Sequence, residues 1–95
     1  MKRYQNIVVE FIDALKLNYH EGNNIQYTAR VAAKRICKST KEIGLIVNVS
    51  KAGADAIDLV VGNRKHKELQ IFKIRYATVG GELVAECDMN SPVIL

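Results

Sequence analysis

Two carboxylates and a lysine, Asp55, Asp58 and Lys73, are the residues whose types come nearest to doing chemistry in this chain. Lys73 stands in a basic strand after an acidic one, and such a lysine is either catalytic or a surface charge with a partner. The other reactive residue types lack company. His20 sits in the turn "NYHEG" and His66 in the loop "NRKHK", and neither has a nucleophile spaced to use it. Ser39, Ser50 and Ser91 have no activating context, and Cys37 and Cys87 show no metal-ligand spacing with each other or with the histidines. The cysteines read as free, mostly buried thiols of a reducing compartment. No phosphate-binding glycine loop, nucleophile elbow, zinc-protease motif or calcium loop is present. No metal and no cofactor is expected.

Positive charge is the more organised signal. Arg30, Lys34, Lys38 and Lys41 recur at i, i+4, i+8 and i+11, within about 80° of helical arc, and no acid interrupts them before Glu42. Like charges at i, i+4 are mildly destabilising, so helix surfaces ordinarily mix signs. An unmixed stripe suits an anionic ligand, most simply a phosphate backbone. A solvated face, with Lys38 and Lys41 favoured by the helix dipole, is the plainer account. A second basic cluster, Arg64, Lys65, His66 and Lys67, occupies a hairpin tip where long side chains suit backbone contact or solubility. The net charge of +4 permits an anionic partner without requiring one.

These residues must be positioned by a small number of elements. Ninety-five residues allow one domain, and 48% hydrophobic with 25% charged content is globular rather than disordered. The start "MKRYQNIVVEFIDALKLN" is basic, but Glu10, Asp13 and Lys16 interrupt its apolar part, unlike a signal peptide. No apolar run is long enough to cross a membrane, and a cytoplasmic location is expected. Helices are predicted over about residues 3–18 and 25–40. Tyr4, Val8, Phe11, Ile12, Leu15 and Tyr19 form the inner face of the first, with Val9 and Leu17 out of pattern; Ala29, Ala32, Ala33 and Ile36 form that of the second. From Ile43 the period becomes two, giving strands over about residues 43–49, 55–62, 67–77 and 82–89. The expected fold is α+β: two N-terminal helices packed on one face of a four-stranded antiparallel meander.

Gly80-Gly81 sets the register of the last hairpin. Tyr76 then faces Ala85, Ile74 faces Cys87 and Phe72 faces Met89, all apolar, while Arg75 faces Glu86 and Lys73 faces Asp88 on the other side. A slip of one residue would destroy both patterns. Lys73 therefore reads as a paired surface charge. The same register turns Ile46, Val60, Leu69, Ile71 and Val84 away from the helices, an apolar cluster that a partner protein or a second copy could cover. Phe72 and Tyr76 fall on the core side and offer no stacking platform for single-stranded nucleic acid.

Two local resemblances touch these strands. "GADAIDLVVGNRKHKELQIFKIR" is similar to the core of PD-(D/E)XK nucleases, in which an aspartate and an acid-x-lysine chelate a divalent ion. That resemblance implies a role for Asp55 or Asp58 with Lys73. Two positions before Lys73, however, stands Ile71, and Gln70 falls on the opposite strand face. "KELQIFKIRYATVGGELV" resembles the paired strands of RelE/ParE-type toxins, small basic proteins that cleave ribosome-bound mRNA or act on gyrase. That resemblance implies Arg64, Lys65, Arg75 and Tyr76 as active-site candidates, whereas the chain ends "DMNSPVIL" without the family's basic and aromatic residues.

The residues favour a small basic protein that works by binding rather than by bond chemistry. Its expected partner is nucleic acid or nucleoprotein, met by the helix stripe and the hairpin loop. The alternative is a protein-interaction module or inhibitor of the compact kind carried by phages and mobile elements, acting through the outer sheet face, with a homodimer as one form of it. A toxin or nuclease activity ranks below both.

Overall fold

The computed structural model describes residues 4–20, 24–87 and 93–94. Two helices, α1 (Gln5–Asn18) and α2 (Ile25–Ser39), precede four strands: β1 (Leu45–Ala52), β2 (Ala56–Asn63), β3 (Glu68–Val79) and β4 (Glu82–Cys87). The strands form an open antiparallel sheet in the order β1-β2-β3-β4. The fold is α+β, with both helices on one face of the meander, as the periodicities require. A short fifth strand, β5 (Val93–Ile94), pairs with β3 at Ile71 and Gln70.

Apolar spacing makes α1 a core helix. Tyr4, Ile7, Val8, Phe11 and Leu15 are buried, while Val9 and Leu17 are 44% and 76% exposed. Ile7 joins the core at a position the expected stripe omitted. The Asn18 amide donates to the Ala14 carbonyl at 2.7 Å, one turn back along the helix. The predicted start near Arg3 lies outside the described residues. In α2, Asn24 is the N-cap, its Oδ1 accepting from the N–H groups of Gln26 and Tyr27. Ala29, Ala32, Ala33 and Ile36 are buried beneath it. Three alanines let the helix axis lie close over β1, against which α2 packs, while α1 packs on α2 and β4.

Val47, Val49, Ile57, Leu59, Val61, Phe72, Ile74 and Leu83 line the core face of the sheet. Gly80 and Gly81 have φ of 59° and 82°, the left-handed pair of a two-residue hairpin turn. Val79 therefore pairs with Glu82, Tyr76 with Ala85, Arg75 with Glu86 and Ile74 with Cys87. The expected pairs Phe72–Met89 and Lys73–Asp88 lie outside the described residues, as does the end of the predicted last strand. β3 runs two residues beyond its expected end because the glycines alone make the turn. β1 begins two residues later than expected, since Ile43 and Gly44 form a turn. It also continues past Val49, where Ser50 bulges out of the ladder and shifts the register between Val49 and Lys51. The bulge moves Lys51 off the core face and places it opposite Asp58.

Tyr76 pins the β1–β2 turn to β3. Its hydroxyl donates to the Gly53 carbonyl, and its N–H donates to Asp55 O at 3.0 Å. Partial burial raises its phenol above the ordinary value, with the Asp55 carboxylate and Tyr19 adding to the shift. A folded-state pKa above the unfolded one contributes stability that is intact below pH 10 and lost as pH rises through the folded value. Tyr76→Phe should cost about 0.5–1.5 kcal/mol at neutral pH through the lost hydrogen bond. It should also flatten the fall in stability above pH 10, as checked by urea unfolding of both proteins at neutral and alkaline pH. An unchanged alkaline slope would show that Tyr76 carries no such linkage.

Candidate nucleic-acid interface

One buried side chain organises the basic end of the molecule. Asn63, the last residue of β2, is fully buried. Its Nδ2 donates to Glu42 Oε2 at 2.6 Å and to the Ile43 carbonyl at 3.1 Å. Its Oδ1 accepts from the N–H groups of Lys65 at 2.8 Å and His66 at 3.3 Å. The Arg64 N–H donates to Gly44 O at 2.9 Å, and Lys67 closes the turn with φ of 52°. The segment that leaves α2 is thereby bonded to the tip of the β2–β3 hairpin. Gly44 makes that approach feasible. Its φ is 83°, and an added Cβ would sit 2.9 Å from Asn63 Oδ1 and 3.3 Å from the Lys65 nitrogen.

This network brings together two clusters that are separate in sequence. Arg30, Lys34 and Lys38 are exposed along α2, and Lys41 follows on the connection to Gly44. Arg64, Lys65, His66 and Lys67 are exposed on the hairpin tip held against that connection. Arg35, which the stripe omitted, is exposed on the same helix. Residues 30–42 and 63–68 contain eight of the 14 Lys and Arg residues but two of the ten Asp and Glu residues. Their local net charge is +6 in a chain whose total is +4, so the remainder is net acidic. One of the two acids, Glu42, is turned toward Asn63.

The apolar cluster on the outer face is only partly assembled. Ile46 and Leu69 both pair with Gly62, and Val60 pairs with Ile71, so these four half-buried side chains are neighbours. Val84 pairs with Ala77, six residues along β3 from Ile71, and stands about 20 Å away at strand rise. At 51% exposure it belongs to no patch with the others.

The residues implied by the two resemblances are distributed as follows. Lys51, Asp58 and Lys73 lie in one cross-strand row, and with Gly53, Asp55 and Ala56 they line a shallow cavity of about 230 Å³. Asp58 thus supplies Lys73 with an opposite charge on the side away from β4. Gln70 is buried on the core face and Lys73 is exposed on the other, so Gln70 does not stand in for the acid that the motif requires beside its lysine. Among the described residues, no group of three His, Cys, Asp or Glu side chains is arranged to hold a metal ion. Arg64 and Lys65 sit at one end of β3, whereas Arg75 and Tyr76 lie about 25 Å along the strand. Arg75 and Tyr76 also point to opposite faces. Cys37 and Cys87 are free thiols, half-buried rather than mostly buried, and the Cys37 Sγ donates weakly to Leu45 O. No helix among the described residues is long and apolar enough to cross a membrane.

Comparison with known proteins finds no matching family model, no matching curated protein and no matching solved structure. The site is therefore read from its own geometry.

Two features of the site escaped the sequence reading. Asn63 looked like a turn residue, although an asparagine ending an apolar strand before a basic loop is a signal for such a cap. Tyr27 was passed over because it lies outside the inner face of α2, yet it is 71% exposed among the basic residues.

Asn63→Ala leaves Glu42, the Ile43 carbonyl and two loop N–H groups without their buried partner. It should cost roughly 2–4 kcal/mol. Hydrogen exchange should speed up first at Lys65 and His66, and protection retained there would contradict the role assigned to this amide.

Proposed function

We propose that the chain binds nucleic acid, free or within a nucleoprotein, through the basic surface of Arg30, Lys34, Lys38, Lys41, Arg64, Lys65, His66 and Lys67. The observation that carries this reading is the concentration of net positive charge on two segments joined by the Asn63 network. Successive members of the α2 stripe rise about 6 Å per step. Cations at that pitch can follow phosphates along a backbone, releasing counterions as they do so. The reading assigns no bond-making step to Asp55, Asp58 or Lys73.

Reversing two central charges, Lys34→Glu with Lys38→Glu, should weaken nucleic-acid binding by roughly tenfold or more while circular dichroism stays unchanged. Raising salt from about 50 to 200 mM should weaken the wild type steeply and the double variant less so. Fluorescence anisotropy across a salt series measures both. Binding indifferent to salt would sink the proposal.

A second reading, contact with a protein or a second copy of the chain, is favoured by the contiguous apolar patch of Ile46, Val60, Leu69 and Ile71. Ile71→Glu would place a charge at its centre. If the patch is a self-association surface, light scattering should find an oligomer for the wild type and a folded monomer for the variant. A wild type monomeric at high concentration rules out the homodimer.

A further inference from the structure

We infer that the crevice between α2 and β1 seats an unpaired base of single-stranded nucleic acid, with Tyr27 as its stacking platform. This rests on the nucleic-acid reading and adds the strandedness of the ligand. Tyr27, Arg30, Val31, Ala33 and Lys34 of α2 line the crevice on one side, and Val47 and Asn48 of β1 on the other, around a volume of about 230 Å³. β1 is an edge strand, so the crevice opens at the margin of the sheet. Arg30 and Lys34 stand three and seven positions after Tyr27, which places all three on one side of the helix. Among the described residues, none of these three side chains takes part in a hydrogen bond or ion pair.

Each part of a nucleotide finds a chemical counterpart here. The exposed phenol offers a π-face to a base, and Val31 and Val47 give an apolar flank. Asn48 pairs with Val60 on the outer face of the sheet, and at the crevice margin its Oδ1 turns back to accept from the Val49 N–H at 3.0 Å. Arg30 and Lys34 are placed for the flanking phosphates, and Lys38 continues the track toward the hairpin tip. A duplex keeps its base faces stacked inside and has none to give Tyr27. A single strand has every base face free, whatever its sequence.

The test is fluorescence anisotropy with labelled oligothymidylate and oligouridylate of about twelve nucleotides, a duplex of the same length, and polyglutamate as an anionic competitor without bases. The wild type should prefer single strands to duplex. Tyr27→Ala should lower single-strand affinity about five- to a hundredfold and leave duplex affinity unchanged, while Tyr27→Phe retains the preference. The oligothymidylate and oligouridylate arms separate DNA from RNA as the source of the strand. Equal affinity of Tyr27→Ala and wild type for single strands overturns the inference, as does a preference for duplex. Polyglutamate displacing the strand at equal charge concentration overturns it too, assigning the crevice to acidic protein. Binding of neither strand nor duplex removes the nucleic-acid reading itself, an outcome distinct from the loss of strand preference alone.

Discussion

A buried amide with all of its hydrogen-bonding capacity in use is the constraint on which the arrangement of this molecule's surface depends. Asn63 has two donor hydrogens and two acceptor lone pairs. They meet Glu42, Ile43, Lys65 and His66, four partners from two segments. Asn63 is itself fully buried, so a bond it lost would leave its own amide desolvated and uncompensated. The connection after α2 and the β2–β3 tip must therefore lie together whenever β2 is in the sheet. Repulsion between Lys41 and the cations of the loop opposes that meeting, but exposed charges in water repel weakly. The buried network outweighs them.

The sheet divides the molecule into surfaces with different tasks. One face is committed to the helices, with Ile57, Leu59, Val61, Phe72 and Ile74 fully buried. The opposite face is split lengthwise. Toward the β2–β3 tip it is apolar, with Ile46, Val60, Leu69 and Ile71 around Gly62; toward the β1–β2 turn it is ionic, with Lys51, Asp58 and Lys73 in one row and Arg75 opposite Glu86 in the next. Alternating signs across strands contribute about 0.2–1 kcal/mol per pair. They set Lys73 beside the opposite charge of Asp58. The proposed binding through the α2 side would leave this face free for a separate contact.

Much of this was legible because period and turn chemistry are local. Gly80-Gly81 fixed the last hairpin since two left-handed residues in succession suit few other pairs. The alanines of α2 declared its inner face. What was hidden depended on contacts across the fold. The bulge at Ser50 leaves no mark in composition, yet it decides that Lys51 meets Asp58 rather than the core. The partner given to Lys73 was sought only on β4, because a hairpin register speaks for one neighbour and not for the strand on the other side. Val84 looked like a member of the outer cluster by parity. Parity gives the face but not the distance along it. Tyr27 stayed unnoticed for the reverse reason, since exposure of a large apolar residue gains meaning only from what stands beside it.

The basic stripe on α2 bears on stability as well as on the proposed binding. Arg30, Lys34 and Lys38 repel at i, i+4 spacing by a few tenths of a kcal/mol per pair, and the helix is held against that by its buried side. Ile36 alone is worth about 1.5–3 kcal/mol when removed from water, and the Asn24 cap contributes about a further 1 kcal/mol. The fold therefore tolerates a surface whose charges are not neutralised from within the helix. An anion bound along the stripe relieves repulsion present only in the folded chain, where the helix holds the cations in line. On the proposed reading, ligand binding and folding would be coupled in the favourable direction, because the repulsion that makes the stripe costly to the free protein is what a phosphate backbone would relieve.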